Sequence, residues 1–321
     1  MSPFEYLQLA ISAALLLAAI YAVRSLRIIG RKSSEIIFAL RRMDKDLTNQ
    51  IQDLQGSLQT LHAAALFDFP RRKSNLKYVL SFTSHPARFT ALEQLIPSIT
   101  AQVLQPSEIY LNIAKEHLPL LSRDLAKKLK SAGIKVIPVN DLGPGKKLIP
   151  TLTRTKLPII CIDDDLVLPA DLTLQLMLQH RLYPNSIIAS RTHRITTDSS
   201  GSIRPFKEWE LQFSKSAGPE PELLATSGAG TLFPHGSLHT DATNEKLYKD
   251  LALHTDDLWW YFQARRIGTN VRRIPGRRAL NFIEGTQADG LWSTGNKDRN
   301  EENLSKLIAK FGNPLTKSKL R

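Results

Sequence analysis

Cysteine, acidic residues and long apolar runs are all scarce in this chain of 321 residues. The single cysteine, Cys161, excludes an intrachain disulfide and is compatible with a reducing compartment. Acidic residues number 30 against 43 basic ones, and the net charge of +13 implies an acidic partner such as nucleic acid, an anionic membrane surface or nucleotide phosphates. With 42% hydrophobic and 23% charged residues, the composition excludes a chain that is disordered throughout.

The one long apolar run spans residues 6–23 and contains no charge. A helix of this length just spans a bilayer core. The run lacks the preceding basic residue and the small-residue cleavage site of a secretory signal. Because positive residues stay on the cytoplasmic side, we expect a single-pass anchor in the cytoplasmic (inner) membrane, with the bulk of the chain on the cytoplasmic side. The basic residues that follow the run are Arg24, Arg27, Arg31, Lys32, Arg41 and Arg42.

Residues 34–66 carry a seven-residue apolar repeat that is typical of a parallel coiled coil, with Asp44 as a defect. We expect homo-oligomerisation through this stalk. The alternative is a single amphipathic helix that lies on an anionic membrane surface or packs against the following domain. The predicted segments are an anchor at 1–24, a coiled-coil stalk and linker at 25–73, and an α/β domain at 74–321. The apolar positions of the repeat are Ile37, Leu40, Leu47, Ile51, Leu54, Leu58, Leu61 and Ala65.

From residue 74 onward, short apolar strands alternate with helices, a pattern that predicts a mostly parallel sheet flanked by helices with right-handed crossovers. Strands are expected at 78–82, 108–113, 134–139, 159–162, 186–190 and 231–233. Helices are expected around 92–99, at 118–130 and from residue 256.

The apolar run 159–162 ends in three carboxylates, Asp163, Asp164 and Asp165. A short apolar run bounded by prolines is typical of a buried central strand, and ligands of open α/β sheets bind at the carboxyl ends of the strands. Adjacent carboxylates repel one another unless a cation or hydrogen-bond donors compensate them. A hard divalent cation shared with phosphate oxygens meets that need. The alternative is a helix N-terminus that uses the carboxylates as caps.

Four segments, in this order and spacing, resemble the GT-A fold glycosyltransferases, more narrowly the bacterial family-2-like enzymes that build surface polysaccharides. They are the turn Thr83–Arg88, the loop Asp141–Lys147, the aspartates Asp163–Asp165, which look like the DxD motif, and the acidic pair within Thr255–Trp259. The resemblance covers residues 76–312. It implies a GT-A (Rossmann-like) fold, a nucleotide-sugar donor, a glycan or lipid-linked acceptor, and Mn²⁺ or Mg²⁺ as cofactor.

The resemblance assigns the metal to Asp165 and Asp163, since a divalent cation stabilises the charge on a leaving diphosphate. Alternatives stay open for two of the segments that the resemblance assigns to the donor. The paired lysines at 146–147 can be a solvated basic loop. The glycine-containing stretch at 226–231 can be a tight turn that enters the next strand. The donor-binding residues that the resemblance implies are Thr83, Ser84, Arg88, Lys146, Lys147, Asp163, Asp164, Gly228 and Gly230.

Asp256 and Asp257 are the predicted catalytic residues, because inverting transfer needs a base for the acceptor hydroxyl proton. The alternative is capping of the helix that begins there, with Thr255 as the cap.

Three arginine pairs lie close together in the sequence, at 265–266, 272–273 and 277–278. The arginine side chain matches the geometry of a phosphate, although these pairs can equally be a solvated basic face. The residues expected at an acceptor or a lipid phosphate are Trp259, Arg272 and Arg273.

Two other functions fit parts of the pattern. A nucleotidyltransferase uses a similar acidic metal site, but it is expected to carry a glycine-rich loop after the first strand, and residues 83–88 lack glycine. A non-catalytic coiled-coil membrane scaffold is expected to have lost acids from the two motifs, and both motifs are intact. The membrane anchor and the localised basic clusters account for the positive charge, so no nucleic-acid partner is expected.

Overall fold

The computed structural model describes residues 36–38, 40, 43, 76–276, 280–286 and 296–316, and of 296–298 only the backbone. The chain divides into two units, Met1–Ile51 and Gln52–Arg321. In the first unit, the few described residues are helical and exposed. The predicted membrane span and most of the predicted stalk lie outside the described ranges, so both stay predictions. Within those ranges no helix has the length and apolar character needed to cross a bilayer.

The second unit is an α/β fold, as the alternating pattern predicts. Its described strands are β1 (Val79–Thr83), β2 (Glu108–Ala114), β3 (Ile134–Val139), β4 (Ile159–Cys161), β5 (Ile187–Ala189), β6 (Thr192–Arg194), β7 (Glu210–Phe213), β8 (Ala217–Glu220), β9 (Leu223–Ala225), β10 (Thr231–Phe233) and β11 (Val271–Arg273). Its described α-helices are α1 (Leu92–Thr100), α2 (Arg123–Ser131), α3 (Ile149–Leu152), α4 (Leu172–Leu182), α5 (Glu245–Ala252), α6 (Asp256–Arg265) and α7 (Asn296–Phe311).

The main sheet has the strand order β3-β2-β1-β4-β10-β5-β11-β8, and β7-β6-β9 form a second sheet. The pairs β1–β2, β1–β4, β2–β3 and β5–β11 are parallel. The pairs β4–β10, β5–β10 and β8–β11 are antiparallel. The main sheet is therefore mostly parallel, and the predicted central position of the carboxylate strand is confirmed. One neighbour of that strand, β10, runs in the opposite direction.

The predicted helix at 118–130 is wrong in its first half. The chain forms a 3₁₀ turn at Lys115–Leu120, which contains Pro119, and Leu121 is extended. The helix α2 begins only after Ser122, whose side chain accepts a hydrogen bond from Leu125 N at 3.1 Å. Proline removes a backbone donor and disrupts a continuous helix, and the serine supplies a new N-cap.

Each face of the main sheet has its own apolar core, because successive strand residues point to opposite faces. Ile160 of β4 packs with residues of α1, α2 and α4. Its neighbours Ile159 and Cys161 pack on the other face with α3, α5, α6 and α7. The central strands are thus buried on both faces, which agrees with their continuous apolar sequences.

Strand direction brings distant parts of the sequence to one edge of the sheet. The parallel strands β1 and β4 both end there, as does β5, which is antiparallel to β10. Because β10 is reversed, its start lies at this same edge, with Thr231 opposite Cys161. The segments that follow β1, β4 and β5 therefore meet the segment that precedes β10.

Candidate active site

A cavity of about 700 Å³ opens at this edge of the sheet. Its lining includes Asp163–Asp165 after β4, Arg191 after β5 and the start of α6. The turn after β1 and the 3₁₀ turn Gly143–Lys147 complete one side. Its volume is in the range of small-molecule sites, and it joins all four segments on which the sequence resemblance rests.

Arg88 neutralises two of the three consecutive carboxylates. Its Nη1 lies 2.9 Å from Asp164 Oδ1 and 3.2 Å from Asp165 Oδ2, and its Nη2 donates to the Thr286 carbonyl at 3.2 Å. Burial and the neighbouring charges of Asp163 and Asp164 nevertheless raise the pKa of Asp165 to about 6, against the opposing charges of Arg88 and Lys147. The cluster carries more negative charge than its protein partners fully compensate.

Lys147 connects the two acidic motifs. Its ammonium lies 2.5 Å from Asp163 Oδ1, 3.3 Å from Asp256 Oδ2 and 3.2 Å from Ser227 Oγ. The side chain is only 5% exposed. Burial alone would lower the pKa of Lys147, but the charges of Asp163, Asp256 and Asp257 raise it well above its usual range. It is therefore a permanent buried cation, and the interpretation of the lysine pair as a solvated loop is wrong because both side chains are buried.

A buried polar network holds the backbone of Lys147 in place. Ser81 Oγ donates to the Lys147 carbonyl at 2.6 Å and lies 2.7 Å from Thr151 Oγ1. Asn112 Nδ2 donates to Ser81 Oγ at 3.1 Å and to Thr151 Oγ1 at 3.2 Å. These groups come from β1, β2 and α3, so the position of the lysine depends on the packed sheet and not on its own loop.

Asp257 has the environment of a base. Its Oδ1 accepts from Ser227 N at 2.8 Å and from Ser227 Oγ at 2.6 Å, and it lines the cavity. Burial, followed by the charge of Asp256, raises the pKa of Asp257 to about 7, against Lys147 and the Ser227 bonds. Asp256 Oδ2 accepts from Ser227 Oγ at 3.3 Å and from Trp260 Nε1 at 3.4 Å, and it faces Lys147.

The alternative assignment of this acidic pair to helix capping does not describe the structure. Thr255 occupies the N-cap position of α6 but makes no side-chain cap bond. Its Oγ1 donates to the Ala252 carbonyl at 3.1 Å and accepts from Asn303 Nδ2 at 3.0 Å. Asp257 is directed to Ser227 of another segment, so the sequence around residue 256 serves the cavity as well as the helix.

Gly228 is required by the carboxylate beside it. A Cβ at this position would lie 1.6 Å from Asp163 Oδ2. The Gly228 carbonyl accepts from Asp163 N at 2.9 Å, so backbone and side chain of the aspartate pack against the same residue. This is the close approach that only glycine permits.

The acidic residues fit a hard divalent cation that shares its coordination with substrate phosphates. Across the described ranges no group of three or more His, Cys, Asp or Glu side chains could hold a metal by itself. One or two carboxylates suffice for Mg²⁺ when phosphates supply further oxygens. Asp164 Oδ2 and Ser84 Oγ are buried without a hydrogen-bond partner, so both atoms are available at the cavity wall.

Four of the predicted site residues do not reach the cavity. Gly230 faces α4, where a Cβ would lie 2.9 Å from Leu172 Cδ2. Trp259 is fully buried between aromatic rings, and its Nε1 donates to the Ala242 carbonyl at 3.2 Å. Arg272 donates to Gly218 O and Ser216 Oγ, and Arg273 donates to backbone carbonyls at residues 274 and 276. Trp259, Arg272 and Arg273 thus donate hydrogen bonds within the fold, and none of the four residues lines the cavity.

The members of the two acidic motifs line the cavity, as predicted, and so do Thr83, Ser84 and Lys146. Sequence reasoning missed Arg191, His117 and His254, which also line it. The available signal for Arg191 was its place directly after the predicted strand 186–190. The two histidines carry no local pattern that separates them from ordinary loop residues.

No protein-family model matches this chain, and no curated protein matches it. Similar solved structures include a 4-diphosphocytidyl-2C-methyl-D-erythritol synthase, with 12% identity and a TM-score of 0.42 over 69% of this chain and 97% of that one. TarS 1–349 of S. aureus in complex with UDP has 11% identity and a TM-score of 0.41, over 64% of this chain and 59% of that one.

The mannosyltransferase PcManGT from Pyrobaculum calidifontis, in complex with GDP-Man and Mn²⁺, has 12% identity and a TM-score of 0.42 over 82% of this chain and 75% of that one. Likeness at this level does not assign an activity to the chain.

We expect Lys147→Met to lower the free energy of unfolding by about 3–5 kcal/mol at neutral pH, the cost of leaving buried carboxylates without their cation. The pKa of Asp257 would rise further, so the folded protein would hold a proton that the unfolded chain releases. Because wild-type Asp257 already keeps its proton below its pKa of about 7, the deficit of the variant should grow as the pH rises above about 7, as measured by urea unfolding. Lys146→Met is the matched control, because Lys146 pairs with the half-exposed Asp141; an equal, pH-independent loss in both variants would contradict this role.

Gly228→Ala should displace the Asp163 carboxylate and lower the melting temperature by several degrees. In an Asp163→Ala background the same change should cost little, giving a coupling of about 1 kcal/mol or more in a double-mutant cycle. Gly236→Ala serves as the control, since a Cβ there meets open space, although its positive φ adds strain. Additive effects at Gly228 and Asp163 would show that the glycine is needed for another reason.

Proposed function

We propose that the protein is a metal-dependent glycosyltransferase that moves a sugar from a nucleotide-sugar donor to a glycan or lipid-linked acceptor, with inversion at the anomeric carbon. The observation that supports it is the meeting of two acidic motifs, separated by some ninety residues, at one cavity of about 700 Å³ at the carboxyl edge of the sheet. Lys147 bonds to both motifs. In surface polysaccharide synthesis, an N-terminal anchor in the cytoplasmic (inner) membrane would hold the enzyme near a lipid-linked acceptor.

The donor would lie along the wall formed by the turn after β1 and by Asp163–Asp165. Ser84 Oγ and Asp164 Oδ2 offer buried polar atoms there. Asp163 and Asp165 would hold Mn²⁺ or Mg²⁺ together with the diphosphate, and the cation would supply charge stabilisation for the leaving group. Arg88 already contacts Asp164 and Asp165, so it can move from these carboxylates to phosphate oxygens when the donor binds.

Asp257 would act as the base. Its carboxylate would take the proton of the acceptor hydroxyl while the acceptor oxygen forms a bond to the anomeric carbon. The bond from that carbon to the diphosphate breaks, and its electron pair leaves with the diphosphate. A pKa of about 7 suits a base that works near neutral pH. Ser227 positions Asp257 through its N–H and Oγ–H, and Asp256 holds Lys147 in the centre of the site.

A donor-hydrolysis screen tests the activity. Purified protein with Mn²⁺ or Mg²⁺ should release nucleoside diphosphate from at least one nucleotide sugar, and a chelator should stop the reaction. Asp165→Asn should lower the rate at least about 100-fold, since the cation would lose a carboxylate ligand and would stabilise the leaving diphosphate less. Asp241→Asn is the control, because Asp241 pairs with Arg266 away from the cavity. Release of pyrophosphate from nucleoside triphosphates in place of sugar transfer would point to nucleotidyl transfer; no reaction with either substrate class would refute the proposal.

The pH profile tests the base. The rate of sugar transfer should rise about tenfold per pH unit below about 7 and level off above it, because the ionised carboxylate is the active form. Asp257→Asn should lower transfer by about 10²–10⁴-fold with donor affinity retained. Asp256→Asn removes a charge that raises the pKa of Asp257, so its profile should shift to lower pH. A wild-type profile and rate in Asp257→Asn would place the base elsewhere.

A further inference from the structure

Among the described residues, four lysine or arginine side chains line the cavity, and three of them form ion pairs with carboxylates. Arg88 pairs with Asp164 and Asp165, Lys146 with Asp141, and Lys147 with Asp163 and Asp256. The fourth is Arg191. Among the described residues no carboxylate pairs with its guanidinium, and no acceptor group forms a hydrogen bond to it.

The surroundings of Arg191 make this state costly. Burial lowers the pKa of its guanidinium, and the more distant charges of Asp257 and Asp163 oppose that effect without cancelling it. The nearby His193 does not help: burial and the charge of Arg191 lower the pKa of that imidazole to about 3, and its Nδ1 accepts from Gln212 N at 2.9 Å. A largely buried charge without a partner destabilises a fold, so its presence at a cavity wall indicates a ligand.

The backbone fixes where Arg191 lies. It follows β5 at the edge where β4 also ends, and Ser190 N bonds to the Gly230 carbonyl at 3.0 Å. The Arg191 carbonyl accepts from Thr226 N at 3.0 Å, directly before the Ser227 that holds Asp257. The guanidinium lines the cavity within range of the charges of Asp257 and Asp163.

We propose that Arg191 binds an anionic oxygen group of the substrate, a phosphate or a carboxylate, in the half of the cavity next to Asp257. Its planar fork matches such groups with two parallel hydrogen bonds. The proposal rests on the proposed function only for the origin of the anion, which is either the diphosphate of the donor or a charged group on the transferred sugar.

The first test is stability without ligand. Arg191→Gln should leave the melting temperature unchanged or raise it, because it removes an uncompensated buried charge. The matched control is Arg194→Gln: Arg194 pairs with Glu220 at 2.5 Å, packs over the Phe213 ring and does not line the cavity. A marked destabilisation by Arg191→Gln, with normal stability for Arg191→Lys, would mean that the charge serves the fold and would overturn the proposal.

The second test is anion binding, measured by calorimetry with Mg²⁺ for inorganic pyrophosphate, UDP, GDP, UDP-glucose and UDP-glucuronic acid. If Arg191 holds the diphosphate, Arg191→Gln should weaken pyrophosphate and nucleoside diphosphates by about 10- to 100-fold, the effect of one charge-assisted bidentate contact. If it holds a charged sugar, only the preference for the glucuronic acid donor over the glucose donor should disappear. Arg191→Lys should recover part of either effect, and Arg194→Gln should show neither.

Unchanged affinities for all these probes in Arg191→Gln would refute the proposal. The binding test needs no sugar transfer, so its outcome is separate from that of the proposed function. If no nucleotide sugar is consumed but pyrophosphate binding still depends on Arg191, the anion site stands and the glycosyltransferase assignment fails. If sugar is transferred but Arg191→Gln changes the affinity for none of the anions, the glycosyltransferase assignment stands and the anion site fails.

Discussion

The ammonium of Lys147 is the interaction on which the candidate site depends. In the described part of the chain six carboxylates line the cavity, and Lys147 contacts members of both acidic motifs. Without it, Asp163, Asp256 and Asp257 would face one another at the partly buried cavity wall, where repulsion between like charges is stronger than in bulk water. Ser81 holds the backbone of Lys147, and Asn112 and Thr151 hold Ser81. The position of this cation among the carboxylates therefore depends on the packing of the sheet.

The antiparallel strand β10 gives the site its geometry. A parallel strand beside β4 would send the segment that precedes it to the opposite edge of the sheet. Because β10 is reversed, Ser227 and Gly228 lie at the end of β4, where one positions Asp257 and the other makes room for Asp163. The segment that precedes β10 therefore contacts both acidic motifs.

Charge that the fold does not fully compensate is concentrated at this edge. The pKa of Asp165 is raised to about 6, that of Asp257 to about 7, and Arg191 has no ion-pair partner among the described residues. Such arrangements cost stability and are characteristic of functional sites, where a ligand supplies what the protein lacks. By contrast, Arg272 and Arg273, which were expected at a phosphate, donate hydrogen bonds to groups within the fold and do not line the cavity.

Local sequence determined the elements and the chemistry of each segment. Apolar runs of four to six residues rich in β-branched side chains indicate strands. Three aspartates after one of them indicate a functional edge, and both patterns depend only on neighbours in the chain. Contacts between distant segments were decided by the tertiary structure alone. The reversal of β10, the bridge from Lys147 to both motifs, the burial of Trp259 and the entry of Arg191 into the cavity depend on strand order and packing. Strand order is set by summed burial over the whole domain, and no single segment records it.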